Sequence, residues 1–198
     1  MTKKPIEEKE YQIIYADPPW RYDFATSNSR QIENKYPTMD IENIKKLKIP
    51  AADNAILFMW ATAPKLKEAF EVMEAWGFTY KSQSVWDKVN VGMGYWWRGQ
   101  HEILMVGVKG KMSPPEQESR ESSVYREKRT EHSKKPPHYR LWISKAYPSM
   151  SKVELFARKE DTLFELEDWE GWDVWGNEVD SDVKILPPLK TKNRGANN

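Results

Sequence analysis

Short apolar runs alternate along this chain with helical patterns, and that alternation is what most restricts its fold. Gln12–Ala16 (QIIYA) and residues 55–61 (AILFMWA) are strand candidates. Residues 64–78 place Leu66, Ala69, Phe70, Met73 and Trp76 on one helical face, with Pro64 at the start and Gly77 at the stop. Residues 80–89 alternate like a half-buried strand, and 102–110 form another, closed by Gly110. Residues 136–147 read as a short helix opened by proline, and 152–158 and 172–179 as late strands. Strands interleaved with helices predict an α/β domain with a largely parallel sheet. No internal repeat is present. A chain of 198 residues fits one domain, which we place at 11–183 between polar, frayed ends at 1–10 and 184–198. Residues 111–135 break the pattern: they are polar and aperiodic, and a loop of that length is either functional or solvated and mobile.

Charge excludes a long-range field. Lysine and arginine number 31 against 30 acids, so any affinity for nucleic acid has to come from local patches. With no cysteine, disulfides, cysteine-ligated zinc and a thiol nucleophile are excluded, and no metal site is expected. The first ten residues lack an apolar signal core, and no apolar run reaches the roughly 18 residues of a membrane span. A soluble, cytoplasmic protein is the expectation. Ten tryptophans serve equally as core or as stacking surfaces, so their number does not separate the two.

The chemistry concentrates in Asp17-Pro18-Pro19-Trp20, directly after the first strand. Ligands of open α/β sheets sit beyond the carboxyl ends of the strands, where Asp17 falls. Proline after it biases Asp17 to an extended backbone, and each proline fixes its own φ. The stiff turn presents one carboxylate and the Pro18 carbonyl, two acceptors that suit the two donors of an –NH2 group. Trp20 offers a face for a planar ring. Such a clamp on an aromatic amine is also catalytic, because accepting both N–H protons stabilises positive charge as the nitrogen attacks carbon. The alternative is a proline-terminated strand with an incidental acid and tryptophan.

ADPPW after a strand resembles the MT-A70 family of adenine-amine methyltransferases, in its small bacterial and phage form, related to the catalytic subunit of the eukaryotic mRNA adenosine methyltransferase. The segment 36–62, then AWGF, RGQHEILMVGVKG, HSKKP, KVELFAR and WDVWGNE, continue the similarity in the family's order, from about Ile13 to Val179. The resemblance implies a Rossmann-like class I methyltransferase sheet with permuted motif order, the catalytic motif first and the cofactor motif late. It also implies S-adenosylmethionine as methyl donor. Asp17 would be the catalytic aspartate lying against the donor, and Tyr22 would join Trp20 at the base. Lys135 would lie near the donor, with Glu154 and Arg158 from one strand, and Asn177 and Glu178 at its ribose. Glu102 would face the adenine pocket. Arg158 either pairs the methionine carboxylate or forms a surface ion pair, and Lys135 either lines the site or is one of several solvated charges. His101 is read as structural, because amine methylation needs no strong base before attack.

Residues 120–140 hold Arg120, Arg126, Lys128, Arg129, Lys134, Lys135 and Arg140 with Tyr125 and Tyr139 interleaved, a candidate clamp for the target strand. Residues 28–36 form a second polar loop, suited to gating. Two adjacent tryptophans, Trp96 and Trp97, read first as core with partial exposure; beside Arg98 and a Gly-rich turn, the alternative is that they stack on nucleic acid or meet a subunit partner. DNA is the expected substrate and RNA the alternative. A homodimer or a second subunit would supply further target recognition. The competing reading is a catalytically silent nucleic-acid-binding subunit, against which stands the intact Asp-Pro-Pro-Trp.

Overall fold

The computed structural model describes residues 9–22, 38–94, 96–130, 134–158 and 169–185. The expected loop at 28–36 and most of both frayed ends lie outside them. Seven strands form one sheet: β1 (Tyr11–Ala16), β2 (Ala51–Ala61), β3 (Thr79–Asp87), β4 (His101–Lys109), β5 (Val124–Arg126), β6 (Lys152–Leu155) and β7 (Trp172–Trp175). Their spatial order is β5-β3-β4-β2-β1-β6-β7. β1 pairs in parallel with β2 and β6, β6 with β7, and β3 with β5. β4 runs antiparallel to both its neighbours. The sheet is thus largely parallel, as expected, and is made mixed by β4. β3 and β4 are joined directly by residues 88–100, and a direct connection between adjacent strands makes an antiparallel hairpin rather than a crossover. All strands except β4 point the same way, so their carboxyl ends and the start of β4 share one edge.

Three α-helices lie among the described residues: α1 (Ile41–Lys45), α2 (Leu66–Ala75) and α3 (Pro137–Ala146). One sheet face packs Ile14, Leu57, Met59 and Val153 with Ala69, Val72 and Met73 of α2. The other packs Ile13, Tyr15, Ile56, Phe58 and Trp60 with Tyr139 and Ile143 of α3. Residues 55–61 are at most 2% exposed, because β2 is covered on both faces. Each such large apolar side chain contributes roughly 1.5–3 kcal/mol by leaving water.

Several elements differ from the sequence expectation. The strands expected over 152–158 and 172–179 end at Leu155 and Trp175. The helix expected over 64–78 opens as a single 3-10 turn, Ala63–Lys65, and ends at Ala75. α1 was not anticipated, although Asp40 caps it by accepting the Asn43 N–H at 2.9 Å. Nor was β5, which lies inside the segment expected to be structureless. Its three residues add to the edge of β3, with Glu127 N–H donating to Asp87 carbonyl at 3.1 Å. No helix among the described residues is long and apolar enough to cross a membrane.

Candidate active site

β1 ends where its sequence demands. Asp17 makes the last backbone contact to β6, its N–H 3.5 Å from the Leu155 carbonyl, and the two prolines then offer no donor. The turn closes on itself, the Trp20 N–H donating to the Pro18 carbonyl at 2.8 Å. The Pro19 carbonyl accepts the Met39 N–H at 2.9 Å, anchoring the turn to the segment before α1. The Pro18 carbonyl thus keeps one lone pair for a ligand. The expectation of an open stacking face on Trp20 is corrected. Its ring is 5% exposed within the core, and its indole N–H donates to the Trp60 carbonyl at 3.1 Å. Large apolar rings behind a sheet edge bury first, and this one does so. Trp20 forms the floor of the cleft, while the partly exposed Tyr22 ring, hydrogen-bonded to Thr62 at 2.7 Å, stands at its side.

Four charges meet above this floor. The Lys135 ammonium donates to Asp17 Oδ2 at 2.6 Å and lies 3.3 Å from Glu102 Oε2. Glu102 Oε1 accepts from Lys88 at 2.8 Å. Two lysines and two acids make the cluster neutral. Burial alone would push the Lys135 ammonium down, yet the carboxylates of Asp17 and Glu102 hold it well above its ordinary value. Burial likewise opposes the charge on Glu102, but Lys135 and Lys88 outweigh it and keep its carboxyl below its ordinary value. Lys135 also lies 5.5 Å from the Trp60 ring centre. Neither Lys135 nor Glu102 is poised to exchange a proton near neutrality. Among the described residues, Asp17 Oδ1 has no hydrogen-bond partner, so one oxygen of the fixed carboxylate remains for a ligand.

The cleft so formed has a volume of 140 Å³ and is lined by Asp17, Pro18, Trp20, Tyr22, Trp60, Ala61, Thr62, Glu102, Lys135 and Arg158. A larger cavity of 550 Å³ lies between the sheet and α3, but its wall is mostly apolar and it contains none of this cluster. The charged cluster thus lines the smaller cleft, at the carboxyl edge of the sheet.

The donor-side residues are only partly brought together. Arg158 lines the cleft. Asn177 and Glu178 are exposed just beyond β7. A Cβ on Gly176 would lie 2.0 Å from the Ala157 carbonyl, so glycine there lets the segment after β7 press against the one after β6. Phe156, with φ +63°, bends the chain away at the end of β6. Acids, an amide and a cation at one edge suit the ribose hydroxyls, ammonium and carboxylate of S-adenosylmethionine. Glu154 departs from expectation. It is buried on the α3 face, accepting from Arg140 Nε at 2.9 Å, and does not line the cleft. Strand alternation puts it opposite Leu155 and hence beneath α3.

The strand-clamp candidates sit on the same edge. Arg126 ends β5 with its side chain 68% exposed, 3.5 Å from Asp87, and Lys128 and Arg129 follow it in exposed positions. Trp97 and Arg98 are exposed in the 88–100 loop. Arg140 does not belong to this surface, being buried with Glu154. His101 is exposed at the start of β4, outside the cleft wall. No group of three His, Cys, Asp or Glu able to hold a metal occurs among the described residues. Sequence reasoning missed Lys88 and Trp60. Lys88 enters because β3 and β4 pair Trp86 with Glu102, a register that no local pattern announces.

A family model described as MT-A70 matches residues 11–178. The chain is 35% identical over 205 residues to the Type II methyltransferase M.MunI of a Mycoplasma species, covering 93% of this chain and 84% of that protein. It is 28% identical to a putative N(6)-adenosine-methyltransferase MT-A70-like protein of Medicago truncatula, covering 89% of this chain and 28% of the plant protein. To the human N(6)-adenosine-methyltransferase catalytic subunit METTL3 it is 26% identical, over 90% of this chain and 30% of the human one. The chain therefore spans less than a third of these two longer relatives.

Proposed function

Because the chain belongs to the MT-A70 family of methyltransferases, we propose that it moves a methyl group from S-adenosylmethionine to the exocyclic 6-amino group of adenine in DNA. The observation that carries this reading is the Asp17 carboxylate, held by Lys135 at 2.6 Å at the mouth of a cleft beyond β1. DNA is favoured over RNA because the relative matched over most of its own length is a bacterial Type II methyltransferase.

S-adenosylmethionine, when bound, supplies an electrophilic methyl group; Arg158, Asn177, Glu178 and the Asp17 side of the cleft would hold it. The rest belongs to the chain. An adenine amine is a poor nucleophile because its lone pair is spread into the ring. Asp17 Oδ1 and the second lone pair of the Pro18 carbonyl accept its two N–H groups, which favours a pyramidal nitrogen whose lone pair is no longer conjugated with the ring. As the N–C bond forms the donor's S–CH3 bond would break, and the carboxylate compensates the positive charge gained by the nitrogen without moving; the surplus proton on the methylated nitrogen then leaves to solvent. Lys135 holds that carboxylate in place, and Glu102 with Lys88 keeps Lys135 from neutralising it entirely. Tyr22 flanks the base and Trp20 closes the floor. A cluster with Lys135 and Glu102 both displaced from neutrality provides orientation and charge rather than a general base, which suits methylation of a neutral amine. Reaching an adenine in a duplex requires extruding it, at a few kcal/mol.

The test is incubation of the protein with labelled S-adenosylmethionine and matched DNA and RNA oligonucleotides, followed by digestion and identification of the methylated nucleoside. N6-methyldeoxyadenosine is the expected product. Label on cytosine or on protein alone would defeat the proposal.

A further inference from the structure

The 88–100 loop exposes three large apolar side chains within five residues: Met93 at 91%, Trp96 at 94% and Trp97 at 89%. Single exposed apolar residues need no explanation, but a contiguous group calls for a partner. The loop that carries them is built. Lys88 N–H donates to the Gln100 carbonyl at 2.8 Å, Gly92 N–H to Gly99 at 2.7 Å and Gly99 N–H to Met93 at 3.3 Å. Arg98 Nε closes onto the Gly92 carbonyl at 3.0 Å. Val89, β-branched, is held at φ +64°, its N–H accepted by Asp87 Oδ1 at 2.8 Å. A Cβ on Gly94 would stand 2.0 Å from the Trp97 carbonyl, so the tip is folded tightly against itself.

Its place in the molecule says what it meets. The loop joins β3 to β4 at the edge that holds the cleft. Its base residue, Lys88, bonds Glu102, which reaches Asp17 through Lys135. The tip and the reacting carboxylate thus rise from one framework. Charge along this rim is basic, with Arg98 beside the tryptophans and Arg126, Lys128 and Arg129 exposed at the end of the neighbouring strand. An isolated tip of two tryptophans and a methionine can bury about 500 Å², short of the roughly 800 Å² per partner of a stable protein interface. Bases present flat apolar faces beside phosphates, which matches a cationic aromatic tip.

We propose that Met93, Trp96 and Trp97 form a stacking platform for unpaired bases flanking the target adenine, holding the strand while that adenine enters the cleft. This rests on the nucleic-acid reading above. Stacking on an exposed aromatic ring is tolerant of sequence and nearly independent of salt, whereas phosphate contacts are not. The platform therefore supplies affinity for single-stranded or opened segments without specifying a sequence.

The experiment uses the full chain, a fluorescent single-stranded deoxyoligonucleotide with one adenine, and a salt series read by polarisation, with methylation kinetics alongside. Trp96→Ala/Trp97→Ala is expected to weaken oligonucleotide binding roughly tenfold or more at every salt concentration, leaving the salt slope unchanged. KM for the oligonucleotide should rise more than kcat falls. Trp96→Phe/Trp97→Phe should remain within about threefold of wild type, because a ring is retained. The thermal shift on adding S-adenosylmethionine should persist in both variants, showing that they are folded. Unchanged affinity in the alanine variant would overturn the proposal. If sedimentation then showed a wild-type dimer becoming a monomer, the tip would be a self-association surface instead. A wild-type protein that neither binds nor methylates any nucleic acid would instead remove the functional reading itself, and this proposal with it.

Discussion

Asp17→Asn separates the two things the carboxylate does. In the folded protein it neutralises Lys135; in the reaction proposed above it would compensate charge on the target nitrogen. At an effective dielectric constant of about 20, unit charges 2.6 Å apart attract by roughly 6 kcal/mol. Desolvation opposes that, and removing one partner of a buried pair costs about 3–5 kcal/mol. The Asp17 side chain keeps 22% of its exposure, so screening brings the expected loss to about 2–3 kcal/mol. For a chain of this size that lowers Tm by roughly 4–12 °C. Turnover should fall further, by about 10²–10³ or more, as for loss of one preorganised contact to developing charge. The assay is single-turnover methylation at saturating donor, at a temperature where circular dichroism shows the variant folded. Adding Lys135→Met to Asp17→Asn removes the stranded ammonium and leaves Lys88 paired with Glu102. The double variant should regain much of the stability and none of the turnover. A folded Asp17→Asn protein with a third of wild-type rate would refute the clamp. So would recovery of turnover in the double variant, which would reduce Asp17 to a counter-ion for Lys135.

Three further outcomes follow from the same geometry. Trp20→Ala should cost about 3–5 kcal/mol of stability, since a buried ring is deleted. Trp20→Phe should cost about 1 kcal/mol for the lost bond to the Trp60 carbonyl; denaturant titration measures both, and a near-neutral Trp20→Ala would contradict the buried placement. Glu102 titrates below its ordinary 4.5, so its contribution is full above that value and lost as pH falls through the lower folded one; Lys135 titrates above 10.5, so its contribution is full below that and lost as pH rises past it. The stability difference between wild type and Glu102→Gln should accordingly be flat from about pH 5 to about pH 10 and shrink on the acid side; a difference varying steeply around neutrality would contradict this. Replacing Arg126, Lys128 and Arg129 with alanine should weaken binding evenly across sequences and flatten the salt slope by about one unit per lost phosphate contact; an unchanged slope would move the backbone contacts elsewhere.

The elements legible in the sequence are those whose signals are local. QIIYA followed by two prolines can only end a strand, and the structure ends β1 at Ala16. Leu66, Ala69 and Met73 recur at helical spacing, and α2 turns that stripe onto the sheet. β5 was illegible because three residues carry no period; pairing with β3 makes it a strand. The reversal of β4 was illegible for a related reason. Residues 102–110 read alike in either direction, and only the hairpin through 88–100 fixes the sense. Trp20 shows the limit of reading chemistry from residue type, since an aromatic behind a catalytic acid serves equally as stacking face or floor. Its bond to the Trp60 carbonyl, forty positions away, decides for the floor.

The charged cluster illustrates why site residues were only partly legible. Asp17 follows β1, Lys88 follows β3, Glu102 lies near the start of β4, and Lys135 precedes α3. No two are close in sequence, and each taken alone is an ordinary charge near the end of an element. Their meeting is a property of the sheet. Parallel β1 and β3 with antiparallel β4 between β2 and β3 bring the end of β3 and the start of β4 to the edge where β1 stops. Lys88 then follows from neutrality. A half-buried Glu102 and Asp17 sharing Lys135 alone would leave one negative charge uncompensated, which burial makes costly. With Lys88 the cluster is balanced, and Asp17 can spend one oxygen on Lys135 while keeping the other aimed into the cleft. The second lysine is thus a positioning residue for the first, and it ties the reacting end of the sheet to the loop bearing Trp96 and Trp97.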